Sequence, residues 1–91
     1  MKGRELLAWN LRRLRAEQGK SQMRFAKDAK MDRSYLSELE NEHRNASVDQ
    51  LDKLASSLGV TISELFRLPE AGEKKPKKLD SGRPRLKRDS R

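Results

Sequence analysis

Ninety-one residues with a formal net charge of +8, 40% charged and 33% hydrophobic, leave room for one small domain and little else. There is no cysteine and one histidine, His43, so neither a disulfide framework nor a metal cluster is expected, and no cofactor. The N-terminal stretch has no uninterrupted apolar run, which argues against a signal peptide or membrane span there and predicts a cytoplasmic protein without a membrane partner.

The charge is uneven along the chain. Residues 1–66 hold 12 Lys+Arg against 10 Asp+Glu, a net of +2, while residues 67–91 hold 10 against 4, a net of +6. Apolar residues number 26 in the first segment and 4 in the second, so only the first can bury enough surface to offset its ordering entropy. Leu68-Pro69 marks the boundary, because proline stops a helix. The expectation is a folded domain over 1–69 and a disordered basic tail over 70–91.

In chain order the first segment reads as five short helices. Helix 1 runs from about Arg4 to Gln18 on the Leu7, Leu11, Leu14 spacing, with Gly19 as its stop. Trp9 lies opposite that stripe, which predicts an exposed or interface position. Ser21 can cap helix 2, roughly Gln22 to Asp28, with Phe25, Ala26 and Ala29 inward. After a tight turn Asp32 can cap helix 3, which runs to about Asn41 with Leu36 and Leu39 inward. Ser47 with Gln50 has capping-box spacing ahead of helix 4, as does Thr61 with Glu64 ahead of helix 5. Val48, Leu51, Leu54, Ala55 and Leu58 form the helix 4 stripe, and Gly59 ends it. No alternating runs flanked by hairpin turns occur, so the fold class is all-α.

Two helices joined as closely as helices 2 and 3 must cross steeply, which is the helix-turn-helix arrangement. The crossing needs a small residue, and Ala26 supplies it. The stretch SQMRFAKDAKMDRSYLSELENEHRNASVDQLDKLASSLGVTISELF resembles the Xre family, which includes phage Cro and repressor DNA-binding domains. The motifs are Ser21-Gln22, Ala26, Tyr35-Leu36-Ser37, Leu39-Glu40 and Leu58-Gly59-Val60. Within the family, Asp32 to Ser37 followed by Arg44-Asn45 is most similar to controller proteins of restriction–modification systems. The family usually has glycine where this chain has Lys30, so a left-handed turn there costs about 1 kcal/mol relative to glycine. The family often has an acid at Met23 or Arg24, and Arg24 in place of an acid makes the start of helix 2 more favourable to phosphate.

The resemblance implies a sequence-specific transcription regulator, with double-stranded DNA as partner and helix 3 in the major groove. Independently, the helical wheel points Ser34, Ser37, Glu38 and Asn41 away from the core, and Arg33 can reach out from the leading end. Arg33 can pair with guanine, and Ser34 or Ser37 with several bases. Glu38 can accept from cytosine or hold Arg33 in place. Tyr35 is expected at the core edge with its hydroxyl available to a phosphate. The resemblance assigns phosphate clamps to Gln22 on one side and to Asn41, Arg44 and Asn45 on the other. Arg44 has no evident helical ion-pair partner in the sequence. The same resemblance makes Arg15 and Glu40 a structural ion pair between helices 1 and 3.

Specificity in this class comes from two copies on half-sites ~34 Å apart, so a homodimer is expected. Val60, Ile62, Leu65 and Phe66 are its candidate interface. The tail can add salt-sensitive attraction to DNA or serve only solubility. A regulator also implies contact with RNA polymerase or another regulatory protein, and a place in the bacterial or phage nucleoid. No nucleophile–base–acid set or phosphate-cradling loop occurs, so an enzyme is not expected. A protein-interaction adaptor and an antitoxin remain as alternatives on the same fold.

Overall fold

The computed structural model describes residues 1–70. Its elements are α1 Gly3–Glu17, α2 Gln22–Ala29, α3 Arg33–Glu40, α4 Val48–Leu58 and a closing 3-10 helix Ile62–Phe66, with no strand among the described residues. The architecture is therefore four α-helices and one 3-10 turn rather than five α-helices. A five-residue segment is too short to sustain an α-helical ladder, and tighter i→i+3 bonding takes over. Beyond Glu70, the expected disordered tail lies outside the described residues.

The helix starts show which capping signals operate. Ser47 and Gln50 form the reciprocal box, with Gln50 N donating to Ser47 Oγ at 3.1 Å and Ser47 N to Gln50 Oε1 at 3.2 Å. Ser21 Oγ accepts from Arg24 N at 3.1 Å. Asp32 and Thr61 occupy cap positions but make no side-chain cap bond. The Thr61 hydroxyl instead lies 2.9 Å from Ser63 Oγ, and Glu64 pairs with Arg13 at 3.0 Å, so the second expected box does not form.

All four α-helices end the same way. A residue in the left-handed region closes each helix, and the next residue's N–H reaches back to the carbonyl five positions earlier. These bonds are Lys20 to Arg15, Met31 to Ala26, His43 to Glu38 and Val60 to Ala55. They satisfy carbonyls that the helical ladder leaves free. Glycine supplies the left-handed residue at Gly19 and Gly59, but Lys30 (φ 57°) and Glu42 (φ 67°) do so at the other two ends.

The core gathers Leu7, Leu11 and Leu14 from α1 with Phe25, Ala26 and Ala29 from α2. Leu36 and Leu39 join from α3, Leu54, Ala55 and Leu58 from α4, and Leu65 from the 3-10 helix. Each buried leucine contributes about 1.5–3 kcal/mol of transfer free energy. The α4 stripe stops short of its first turn: Val48 is 68% exposed, and Leu51 is only partly buried. Trp9 is half-buried rather than exposed, and its Nε1 is enclosed without a hydrogen-bond partner. Leu65 is completely enclosed by its own chain, whereas Val60, Ile62 and Phe66 are partly buried at the edge of the core. No described helix is long and apolar enough to cross a membrane.

Candidate nucleic-acid interface

The connection between α2 and α3 holds the key geometry. Lys30 turns the chain left-handed (φ 57°, ψ 50°), and Met31 N bonds back to Ala26 O at 2.9 Å. The chain can thus leave α2 and start α3 within three residues. Ala26 is 3% exposed, small enough for the two helices to approach.

The leading end of α3 presents Arg33 and Ser34 to solvent. Arg33 makes no hydrogen bond or ion pair among the described residues, whereas the other described arginines are engaged. Arg13, Arg15, Arg24, Arg44 and Arg67 pair with carboxylates, Arg4 donates to Asn45 Oδ1, and Arg12 donates to the Glu40 carbonyl. A guanidinium on the outer face of a helix, with all its donors free, is suited to bidentate pairing with a base edge or a phosphate. Ser37 and Glu38 are partly buried further along α3.

Several side chains assigned to DNA contact are otherwise engaged. Gln22 is fully buried, and its Nε2 donates to Glu40 Oε1 at 3.0 Å, so its side chain does not face a phosphate in this conformation. The first turn of α2 still carries main-chain N–H groups that its own ladder does not use. Arg24 is exposed and pairs with Asp28 at 3.2 Å. Partial desolvation acts to raise the Asp28 carboxyl, but the Lys20 hydrogen bond and the Arg24 charge outweigh it and hold the group below its ordinary value.

The Tyr35 hydroxyl is not free. It lies 2.7 Å from the Asn45 carbonyl and within hydrogen-bonding reach of Gln50 Oε1, so it ties α3 to the start of α4. Burial raises its pKa, against the opposing charge of Arg44. Arg44 does have a partner: its Nε donates to Glu38 Oε1 at 2.7 Å, and its guanidinium sits 5.2 Å from the Tyr35 ring centroid. The hydrogen bond and charge of Glu38 raise the Arg44 pKa further. Glu38 therefore holds Arg44, six residues on, and not Arg33. Asn41 Nδ2 donates to Ser37 O at 2.8 Å, and Asn45 Oδ1 accepts from Arg4 at 3.0 Å. The loop from Asn41 to Asn45 is thereby fixed against both α3 and the start of α1.

Behind this face lies a buried polar centre. Arg15 Nε and one terminal nitrogen each donate to Glu40 at 2.8 Å, with both side chains fully buried. Arg15 also donates to Lys20 O at 2.9 Å, and Gln22 completes the set on Glu40. One carboxylate thus joins α1, the start of α2 and the end of α3. Sequence reasoning missed Arg12, which donates to the Glu40 carbonyl and to Asn41 Oδ1 from the buried side of α1. It also missed Asn10, whose Nδ2 reaches the Leu6, Leu65 and Arg67 carbonyls at 2.9–3.0 Å. Apart from Asn41 Oδ1, their acceptors are main-chain carbonyls, which leave no mark in a sequence.

Fold and site together define a DNA-binding helix-turn-helix transcription regulator. The chain belongs to the Xre-like helix-turn-helix family, whose "Helix-turn-helix" model matches residues 11–65. It is 46% identical over 57 residues to the control protein C.MunI of Mycoplasma sp, covering 62% of this chain and 77% of that protein. It is 34% identical over 67 residues to a hypothetical transcription factor of Neisseria meningitidis serogroup B, covering 74% of this chain and 63% of that protein. The crystal structure of the hypothetical transcription factor NHTF from Neisseria matches with a TM-score of 0.72 at 34% identity, over 75% of this chain and 78% of that one. The restriction–modification controller protein C.AhdI from Aeromonas hydrophila gives a TM-score of 0.67 at 36% identity, over 69% and 96%. These relatives are regulators rather than enzymes.

Proposed function

We propose that two copies of this chain bind a (pseudo)palindromic operator, each laying the leading end of α3 in the major groove. The observation that carries this reading is Arg33: it is exposed at the start of α3 and free of partners among the described residues. Arg33 pairs with guanine, Ser34 and Ser37 contact neighbouring base edges, and Glu38 accepts from a cytosine amino group. Arg24, Arg44, Asn41 and Asn45 flank the groove as phosphate contacts, with the Tyr35 ring supporting Arg44. Gln22 contributes through the main chain at the head of α2. Val60, Ile62 and Phe66 form the contact between copies, with Leu65 behind them in the core. The likeness to C.MunI and C.AhdI supports a controller role beside a restriction–modification system, acting on the nucleoid in the cytoplasm and in contact with RNA polymerase or another regulatory protein. The basic tail adds sequence-independent attraction to DNA.

Gel-shift titration on the duplex upstream of the chain's own gene, with sedimentation at micromolar concentration, tests this reading. Two chains per duplex and selectivity over a scrambled duplex are expected. A monomer that binds both duplexes equally would overturn it. An adaptor that does not read DNA would bind neither.

A further inference from the structure

We infer that Glu38 and Arg44 form a latch that keeps Arg44 off the DNA backbone until Glu38 meets a cytosine amino group. The inference rests on the proposed reading of α3 as the groove helix. The two side chains meet at 2.7 Å and are 45% and 54% exposed, so the pair sits on the surface, beside the groove-reading face of α3 in the proposed complex. An exposed ion pair is weak in water and readily exchanges partners. Here it is oriented, because the Arg44 guanidinium lies over the Tyr35 ring and the Tyr35 hydroxyl is tied to the Asn45 carbonyl. Arg44 is thus aimed at Glu38 by a rigid support rather than drifting in solvent.

Each partner of the latch has a counterpart on DNA. A phosphate is an acceptor for Arg44, and the cytosine amino group is a donor for Glu38 in the major groove. On a duplex with no amino group in place, opening the latch would leave the Glu38 carboxylate facing a polyanion without a donor. The latch stays closed there, and Arg44 contributes little. On the operator both groups change partners at once, so the phosphate contact is favoured where the base is right. The pair converts a contact that normally carries no sequence information into one conditional on sequence.

The test uses full-length protein, a random-sequence duplex and fluorescence anisotropy over a range of salt concentrations. Glu38→Gln keeps the shape of the side chain and removes its charge. It is expected to bind the random duplex severalfold more tightly, with a log–log salt slope steeper by about 0.9, one phosphate contact. In an Arg44→Gln background the same Glu38→Gln change is expected to produce much less gain. Circular dichroism confirms that each variant is folded. Unchanged affinity and slope for Glu38→Gln would overturn the latch. So would a full-sized gain in the Arg44→Gln background, which would mark simple charge repulsion by Glu38. Wild-type protein that selects no duplex at all would instead overturn the operator reading on which the latch rests.

Discussion

Glu40→Ala removes the acceptor at the centre of the domain, and the structure sets the size of the effect. Glu40 accepts from two Arg15 nitrogens at 2.8 Å and from Gln22 at 3.0 Å, all fully buried. After the change, the Arg15 guanidinium keeps only the Lys20 carbonyl at 2.9 Å, and the Gln22 amide has no partner. Leaving one charge of a buried pair uncompensated costs about 3–5 kcal/mol. The whole stability of a small domain is about 5–15 kcal/mol, and so short a chain falls toward the low end. Glu40→Ala should therefore lose most of the folding free energy and melt far below the wild type. Urea titration followed by far-UV circular dichroism gives the number directly. The double variant Arg15→Met/Glu40→Leu removes both charges and should recover most of the loss, because a well-packed apolar pair can replace a buried ion pair. A loss below about 1 kcal/mol for Glu40→Ala would refute the reasoning, since the carboxylate would not then be compensating Arg15.

Other outcomes follow from the same structure. Lys30→Gly and Glu42→Gly each relieve a left-handed residue and should stabilise the fold by about 0.5–1 kcal/mol, read as a rise in thermal midpoint. Asn10→Ala removes the Asn10 donor from the Leu65 and Arg67 carbonyls and should cost about 1–3 kcal/mol, with early hydrogen exchange in the 3-10 helix. Tyr35→Phe should cost about 0.5–1.5 kcal/mol at neutral pH through loss of the link to Asn45. The folded state raises the Tyr35 pKa above its ordinary 10.0, so native protein holds this proton more tightly than the unfolded chain. Its contribution is complete below pH 10 and is lost as the pH rises through the folded value. The stability of Tyr35→Phe should thus fall less steeply than that of the wild type as the pH rises from 10 through the folded value.

Much of this architecture is legible in the sequence because local chemistry decides it. Gly19 and Gly59 stop helices, Ser47 with Gln50 starts one, and the leucine spacing orients α1 and α4. Lys30 was readable as a left-handed turn because the helix-turn-helix geometry demands one there. Glu42 was not, since no familiar glycine position points to it, yet the end of α3 needs the same closure. That closure brings His43 N back to Glu38 O and carries Arg44 round to the Glu38 side chain, a pairing hidden from helical spacing. Val48 fits the α4 period but lies in a first turn that extends past the core. Gln22 misled in the other direction: its position marks it as a surface contact, while Glu40 draws it inward. The wheel correctly exposed Ser34, which depends only on where the core of α3 lies, whereas Arg33 projects nearer the buried side and is exposed because it stands at the leading end of the helix.

The central claim is that α3, led by Arg33, reads bases. The direct measurement is selection of bound duplexes from a random pool by the wild-type protein and by Arg33→Ala. The wild type should enrich two related half-sites with centres ~34 Å apart, each with a fixed guanine. Arg33→Ala should lose preference at that guanine, about 1–3 kcal/mol or roughly 5- to 150-fold, and keep the rest. An identical enriched motif from both proteins, or none from the wild type, would contradict the assignment.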